Sequence, residues 1–230
     1  MAKKFDISNN KIKGFQKLIL KWYSVNGREF PWRKLDFPLY NVFIAEILLQ
    51  RTTAAAVNNN INNFLERFPS WKSIATTNIL EIENALKPLG LWQQKSKLMH
   101  ELAKEMVKRN GRIPLNREEL ENLPGIGQYI ASAILLMGFG HPEPLLDTNM
   151  ARVLERFFGP RKMADLRYDA YLQELAREVV KSKYTREMNF SILDFAAKVC
   201  KPINPDCTHC PLVDNCLYYT EEHKFYVMPI

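Results

Sequence analysis

Cysteine is missing from the first 199 residues of this 230-residue chain. Four cysteines then fall within 17 residues, at Cys200, Cys207, Cys210 and Cys216. Other absences are as useful. No apolar run approaches the ~20 residues that span a bilayer, so a membrane partner is not expected. The opening MAKKFDISNN is polar and has no signal-peptide core. A disulfide framework, which needs a secreted chain, is therefore disfavoured. The expected compartment is the cytoplasm, with nucleoid association in a prokaryote. No internal repeat, low-complexity tract or convincing strand alternation is present. Acidic residues are in deficit, 25 against 32 basic, leaving a formal charge of +7 and a pI near 9.2. That excess favours a polyanionic partner, nucleic acid above all.

The cysteines follow the pattern C-x6-C-x2-C-x5-C. Thiolates gathered so closely can enclose zinc or an iron–sulfur cluster. Structural zinc sites usually pair two C-x2-C knuckles or mix cysteine with histidine. A single C-x2-C between wider gaps wraps a [4Fe–4S] cube better than a tetrahedral ion, and zinc stands as the alternative.

Elsewhere the pattern is helical, with apolar residues at i, i+3 and i+4. Phe15, Leu18, Ile19 and Trp22 form one stripe. Val42, Phe43, Glu46, Ile47 and Leu49 through Val57 read as another helix, and the run Asn58 to Asn63 continues it. Leu98, Leu102, Ala103 and Met106 form a third, and Met150, Val153, Leu154 and Phe157 a fourth. Short Pro, Gly and Asn segments punctuate them. The length, with 47% hydrophobic and 25% charged residues, allows one large globular domain or two small ones.

Leu123-Pro124-Gly125-Ile126-Gly127-Gln128-Tyr129 joins two of these helices. Asn116 caps the first, with Glu119 placed for a capping box. Ala131, Ser132 and Ala133 let the second approach its neighbours closely. A tight Gly-x-Gly turn permits positive φ and carries no bulky side chains. Outward amides at the second helix's start can then bind a phosphate. This is how a helix–hairpin–helix grips a nucleic-acid backbone without reading sequence.

Cluster and hairpin together resemble the helix–hairpin–helix DNA glycosylases, which include endonuclease III and the adenine glycosylase MutY. Leu145-Leu146-Asp147-Thr148-Asn149-Met150-Ala151-Arg152-Val153 looks like that superfamily's signature, and Phe30-Pro31-Trp32 and Ala45 to Thr53 extend the resemblance upstream. It implies an all-α fold of two helical lobes, with DNA in the cleft between them. Residues 31–141 would form a six-helix barrel lobe with the hairpin, and 1–30 plus 142–230 the cluster lobe. The partner implied is double-stranded DNA containing a mismatch, bound by a monomer.

The resemblance also implies roles. Asp147 would stabilise positive charge on the sugar as the C1′–N1 bond breaks. Tyr129 occupies the position of the lysine that gives endonuclease III-like enzymes their Schiff base. A phenol forms no imine, which argues for hydrolysis by water alone. Glu46 falls in the base pocket of MutY-like and MIG-type mismatch enzymes, and MIG-type enzymes share the tyrosine. Leu91 is the expected wedge. Gln50 and Arg51 fill the vacated space or meet the orphan base. Gly125, Ile126, Gly127, Gln128 and Asn149 complete the expected DNA contacts. The chain ends 14 residues after Cys216, where the 8-oxoguanine domain of MutY-type enzymes is not expected to fit. The expected activity is removal of thymine or uracil opposite guanine. The alternatives are an adenine glycosylase without that domain and a non-catalytic DNA-binding module. The loop 201–206 holds one basic and one acidic residue. That is less basic than the family usually shows, so a mainly structural cluster is expected.

Overall fold

The computed structural model describes residues 7–223. Among them the regular elements are all helical and no strand occurs, in keeping with the all-α expectation. In chain order they are α1 (Asn9–Asn26), α2 (Leu39–Leu49), α3 (Ala54–Arg67), α4 (Trp71–Thr76), α5 (Ile79–Leu86), α6 (Trp92–Lys108), α7 (Arg117–Glu121), α8 (Gln128–Phe139), α9 (Thr148–Phe158), α10 (Ala170–Val180), α11 (Thr185–Lys198) and α12 (Leu217–His223). Side chains of Ser8, Thr53, Ser70, Asn78, Asn116, Asp147 and Asp169 accept amide hydrogens at helix starts. Each such cap is worth ~1 kcal/mol. No helix among the described residues is long and apolar enough to cross a membrane.

The chain divides into two compact units, Glu29–His141 and Met1–Arg28 with Pro142–Ile230. Phe30 belongs to the first because its ring stacks on Trp32, 4.7 Å away and within 5° of parallel.

In the Glu29–His141 unit, α2 is the central rod. Val42 through Leu48 are all buried, as expected of a helix that is apolar on every side. It packs on α3, α6 and α8. Gly138 lets α8 approach α2, since a Cβ there would lie 2.7 Å from Leu39 Cδ1. The stripe Met99, Leu102, Ala103 and Met106 of α6 is fully buried. Truncating one of its large members, as in Leu102→Ala, costs ~2–5 kcal/mol.

The helix expected to run unbroken through Val57 is two helices. The apolar pattern crosses the junction, but the backbone breaks at Gln50–Thr53. Arg51 adopts φ 51°, and Thr53 restarts the chain by accepting from Ala56 N–H. The cause is tertiary and lies in α6, as described below.

The other unit packs α1 against α10 and α11, which in turn pack on α9. Phe15 is fully buried, with its ring 5.1 Å from Phe157 and 5.2 Å from Phe158. The α9 stripe Met150, Val153, Leu154 and Phe157 is buried. Fully buried Asp194 accepts from Arg28 N and Nε, both at 2.7 Å. Losing either partner would strand a charge.

Candidate active site

Glu46 sits in the apolar middle of α2 and is only 7% exposed. Its Oε2 is buried without a hydrogen-bond partner. Burial raises its carboxyl from the ordinary 4.5 to about 7, against a smaller opposing pull from the Arg33 guanidinium. A buried oxygen with no partner is costly. Retaining one in a helix of Val, Phe, Ile and Leu points to a ligand that supplies the missing bond.

The hairpin is α7, the turn and α8. Asn116 Oδ1 accepts from Glu119 N–H at 2.9 Å, and its Nδ2 donates to Glu119 Oε1 at 2.7 Å. The reciprocal contact expected of a capping box is thus made between the two side chains. Arg117 joins the helices, donating to Ser132 Oγ at 3.0 Å and to the Gln128 carbonyl at 3.3 Å. The two glycines differ. Gly125 has φ +73°, and a Cβ there would lie 2.2 Å from Leu98 Cδ1. Gly127 has the ordinary φ of −93° and nothing within 4 Å of a built Cβ. The fold requires Gly125. Gly127 instead leaves open space before α8, whose start has no side-chain cap, where a phosphate oxygen can approach. Ile126 is buried as the turn's anchor. Tyr129 is half-buried, with its ring against the core.

Two further turns reach the surface of this unit. Gln50 closes α2, and Arg51 stands exposed at positive φ. Gly90 and Leu91 also have positive φ, 64° and 47°, and Leu91 is 40% exposed at the start of α6. A left-handed leucine is strained. Lys95, only 2% exposed, holds both turns. Its Nζ donates to the carbonyls of Leu48 at 2.8 Å and Leu89 at 3.2 Å, and to Thr52 Oγ1. Thr52 Oγ1 in turn donates to the Leu89 carbonyl at 2.8 Å. This lysine is what interrupts the α2–α3 pattern.

In the other unit Asp147 is the N-cap of α9. Its Oδ1 accepts from Asn149 N at 2.9 Å and Met150 N at 2.8 Å. Oδ2 accepts from Asn149 Nδ2 at 2.7 Å. The segment leading to it is pinned by buried Asn189, which accepts from Leu145 N at 2.7 Å and donates to the Glu143 carbonyl at 3.1 Å. Asn149 Oδ1 accepts from Arg152, whose Nε donates to the Cys200 carbonyl at 2.9 Å. The carboxylate is thereby tied to the cysteine segment.

Cys200, Cys207, Cys210 and Cys216 line one hollow, walled by Val153, Phe157, Phe195, Val199 and Leu212. None of the four forms a disulfide. Burial pushes the Cys210 thiol up to about 12, and its three neighbours add to the rise. Burial raises Cys216 as well. A cationic centre in the hollow would offset the cost of ionising Cys210 and Cys216. Among the described residues no group of three or more Cys, His, Asp or Glu is arranged to hold a single metal ion; the cysteines stand around the hollow's wall. Arg156 holds the rim, donating to the carbonyls of Lys201 at 2.7 Å and Pro202 at 3.1 Å. Its Nη1 also lies 3.5 Å from Cys200 Sγ.

Residues 44–178 match the HhH-GPD superfamily of base excision DNA repair proteins. The chain belongs to this superfamily. It is 41% identical over 216 residues to a thymine/uracil-DNA glycosylase of Pyrobaculum aerophilum, covering 91% of this chain and 94% of that protein. It is 38% identical to a thymine-DNA glycosylase of Aeropyrum pernix, covering 94% and 99%. The solved structure of a thermostable thymine-DNA glycosylase superposes with a TM-score of 0.86 at 34% identity, covering 93% of this chain and 98% of that one.

The candidate residues fall in both units. Glu46, Gln50, Arg51, Leu91, Gly125, Ile126, Gly127, Gln128 and Tyr129 lie in one unit, and Asp147, Asn149 and the four cysteines in the other. Asp147 itself makes the cap of α9. Lys95, Arg152 and Arg156 went unread in the sequence. Arg152 and Arg156 stand four residues apart on the same face of α9, a spacing that offered the one available signal.

Proposed function

We propose that this chain is a monofunctional DNA glycosylase of base excision repair, removing thymine or uracil mispaired with guanine from double-stranded DNA. Glu46 carries the reading, because a buried carboxyl with an unpartnered oxygen is suited to a flipped base. The choice of base is supported by the thymine- and uracil-specific names of the relatives. A mismatched base is already poorly paired, which lowers a flipping cost of a few kcal/mol.

In this reading Leu91 wedges into the stack, and Gln50 and Arg51 meet the space and the orphan base. Gly125 to Gln128 grip the backbone through amides. Breaking the C1′–N1 bond leaves positive charge on the sugar and negative charge on the base. Asp147, fixed by its hydrogen bonds, offsets the sugar charge and orients the attacking water through Oδ2. The neutral form of Glu46 donates a hydrogen bond to a base carbonyl oxygen. Tyr129 packs at the sugar and forms no imine. The four cysteines would hold a [4Fe–4S] cluster, which would supply a rigid cross-link rather than reaction chemistry.

Release of free base is measured side by side on T·G, U·G, A·G and A·8-oxoguanine duplexes. T·G and U·G are expected to be fastest, with strand breakage only after alkali or heat and little borohydride trapping. Faster adenine release assigns the chain to adenine removal, and efficient trapping overturns the monofunctional claim. Tyr129→Lys should introduce lyase activity. Purified protein should contain about four irons with acid-labile sulfide; stoichiometric zinc overturns the cluster.

A further inference from the structure

The buried ammonium of Lys95 is used by none of the steps above. We infer that Lys95 is a positioning residue that couples the Gln50–Thr53 turn to the Leu89–Leu91 turn, so that both enter DNA as one rigid fork. The inference rests on the reading of Leu91 as wedge and of Gln50 and Arg51 as filler.

Each of the three acceptors of Lys95 has a place in the fork. The Leu48 carbonyl belongs to the last turn of α2, just before Gln50. Thr52 Oγ1 lies in the turn itself. The Leu89 carbonyl immediately precedes the left-handed pair Gly90–Leu91. Thr52 and Lys95 both donate to that carbonyl, so the two turns share one acceptor. All three partners are neutral. The lysine therefore makes no ion pair with them, and its charge strengthens the bonds it donates. Arg51 and Leu91 are both held at positive φ, a strain that persists only where surroundings over-determine it. An ammonium with its three hydrogens so placed provides that constraint. A flipped base leaves a gap that must be filled as it opens, so a wedge and a filler that move independently would let it fall back.

The test separates unstacking from hydrolysis. Lys95→Met keeps the chain's apolar bulk and removes the donor. Thr52→Val removes the hydroxyl from the shared contact and serves if the first variant folds poorly. Each is assayed on a T·G duplex and on the same strand with the target thymine in an unpaired bubble, where opening is prepaid. Lys95→Met is expected to lose about 10- to 100-fold on the duplex and to stay near wild type on the bubble, with Thr52→Val showing the same direction. Equal losses on both substrates would mean general destabilisation and overturn the inference. A 2-aminopurine beside the target, read in Asp147→Asn backgrounds, reports unstacking without chemistry. Its fluorescence rise should shrink in the Lys95 variant; an unchanged rise overturns the inference. Absence of thymine release by the wild type would instead defeat the glycosylase reading, and the fluorescence comparison would still decide the role of Lys95.

Discussion

The surroundings of Glu46 and Asp147 make opposite uses of a carboxyl group. Glu46 is enclosed in α2 with one oxygen unpartnered, and burial moves it to about 7. Asp147 is half-buried at a helix start, with both oxygens hydrogen-bonded. One environment keeps a proton within reach at neutral pH, and the other fixes a carboxylate's direction. Two carboxyls told apart by environment can take separate parts in one reaction.

The sharpest way to break this comparison is Asp147→Asn. Asparagine still caps a helix, so folding and mismatch binding should persist. Base release should fall by about 10²–10³-fold in single-turnover assays. Near-normal turnover would leave Asp147 with capping alone.

Stability against pH tests the other carboxyl. The folded value of Glu46 lies above its unfolded one, so burying the charge costs stability as pH rises. The cost is absent below about 4.5, grows above it and is complete above about 7, reaching on the order of 3 kcal/mol. Glu46→Gln should therefore gain stability relative to wild type in denaturant titrations at pH 8, and lose that gain near pH 4. A constant difference would mean that Glu46 is solvated.

The same variant sharpens the chemistry. If the neutral carboxyl is the working form, wild-type single-turnover rates should drop about fivefold from pH 7 to pH 8. Glu46→Gln should be slower at pH 7 and flat across that interval. The smallest effect is expected from comparing Asp147→Ala with Asp147→Asn. The alanine variant should be less stable by ~1 kcal/mol, the value of the lost cap.

Much of this was legible in the chain. Glu46 stood out because its neighbours are Ala, Ile and Leu. The α9 stripe and the Asn116 cap were readable because both depend on residues three or four positions apart. The break after Leu49 was not, because Ile47-Leu48-Leu49 and Ala54-Ala55-Ala56-Val57 carry the helical pattern across it. Its cause, Lys95, lies more than 40 positions away in sequence and is a residue type that normally faces water. The hollow's rim was likewise hidden, since Arg156 reaches loop carbonyls 45 and 46 positions away. Long-range bonds of buried or half-buried cations leave no periodic trace.

Leu98 presses against the Cα of Gly125, and Leu91 begins the same helix. They stand seven positions apart, about 10 Å along the helix axis. In the proposed reading that helix works as a gauge block, setting how far the stack is pried open from where the strand is gripped. A single residue inserted between Leu91 and Leu98 would swing one end by about 100° relative to the other. A change in the length of this stretch cannot be absorbed by local repacking.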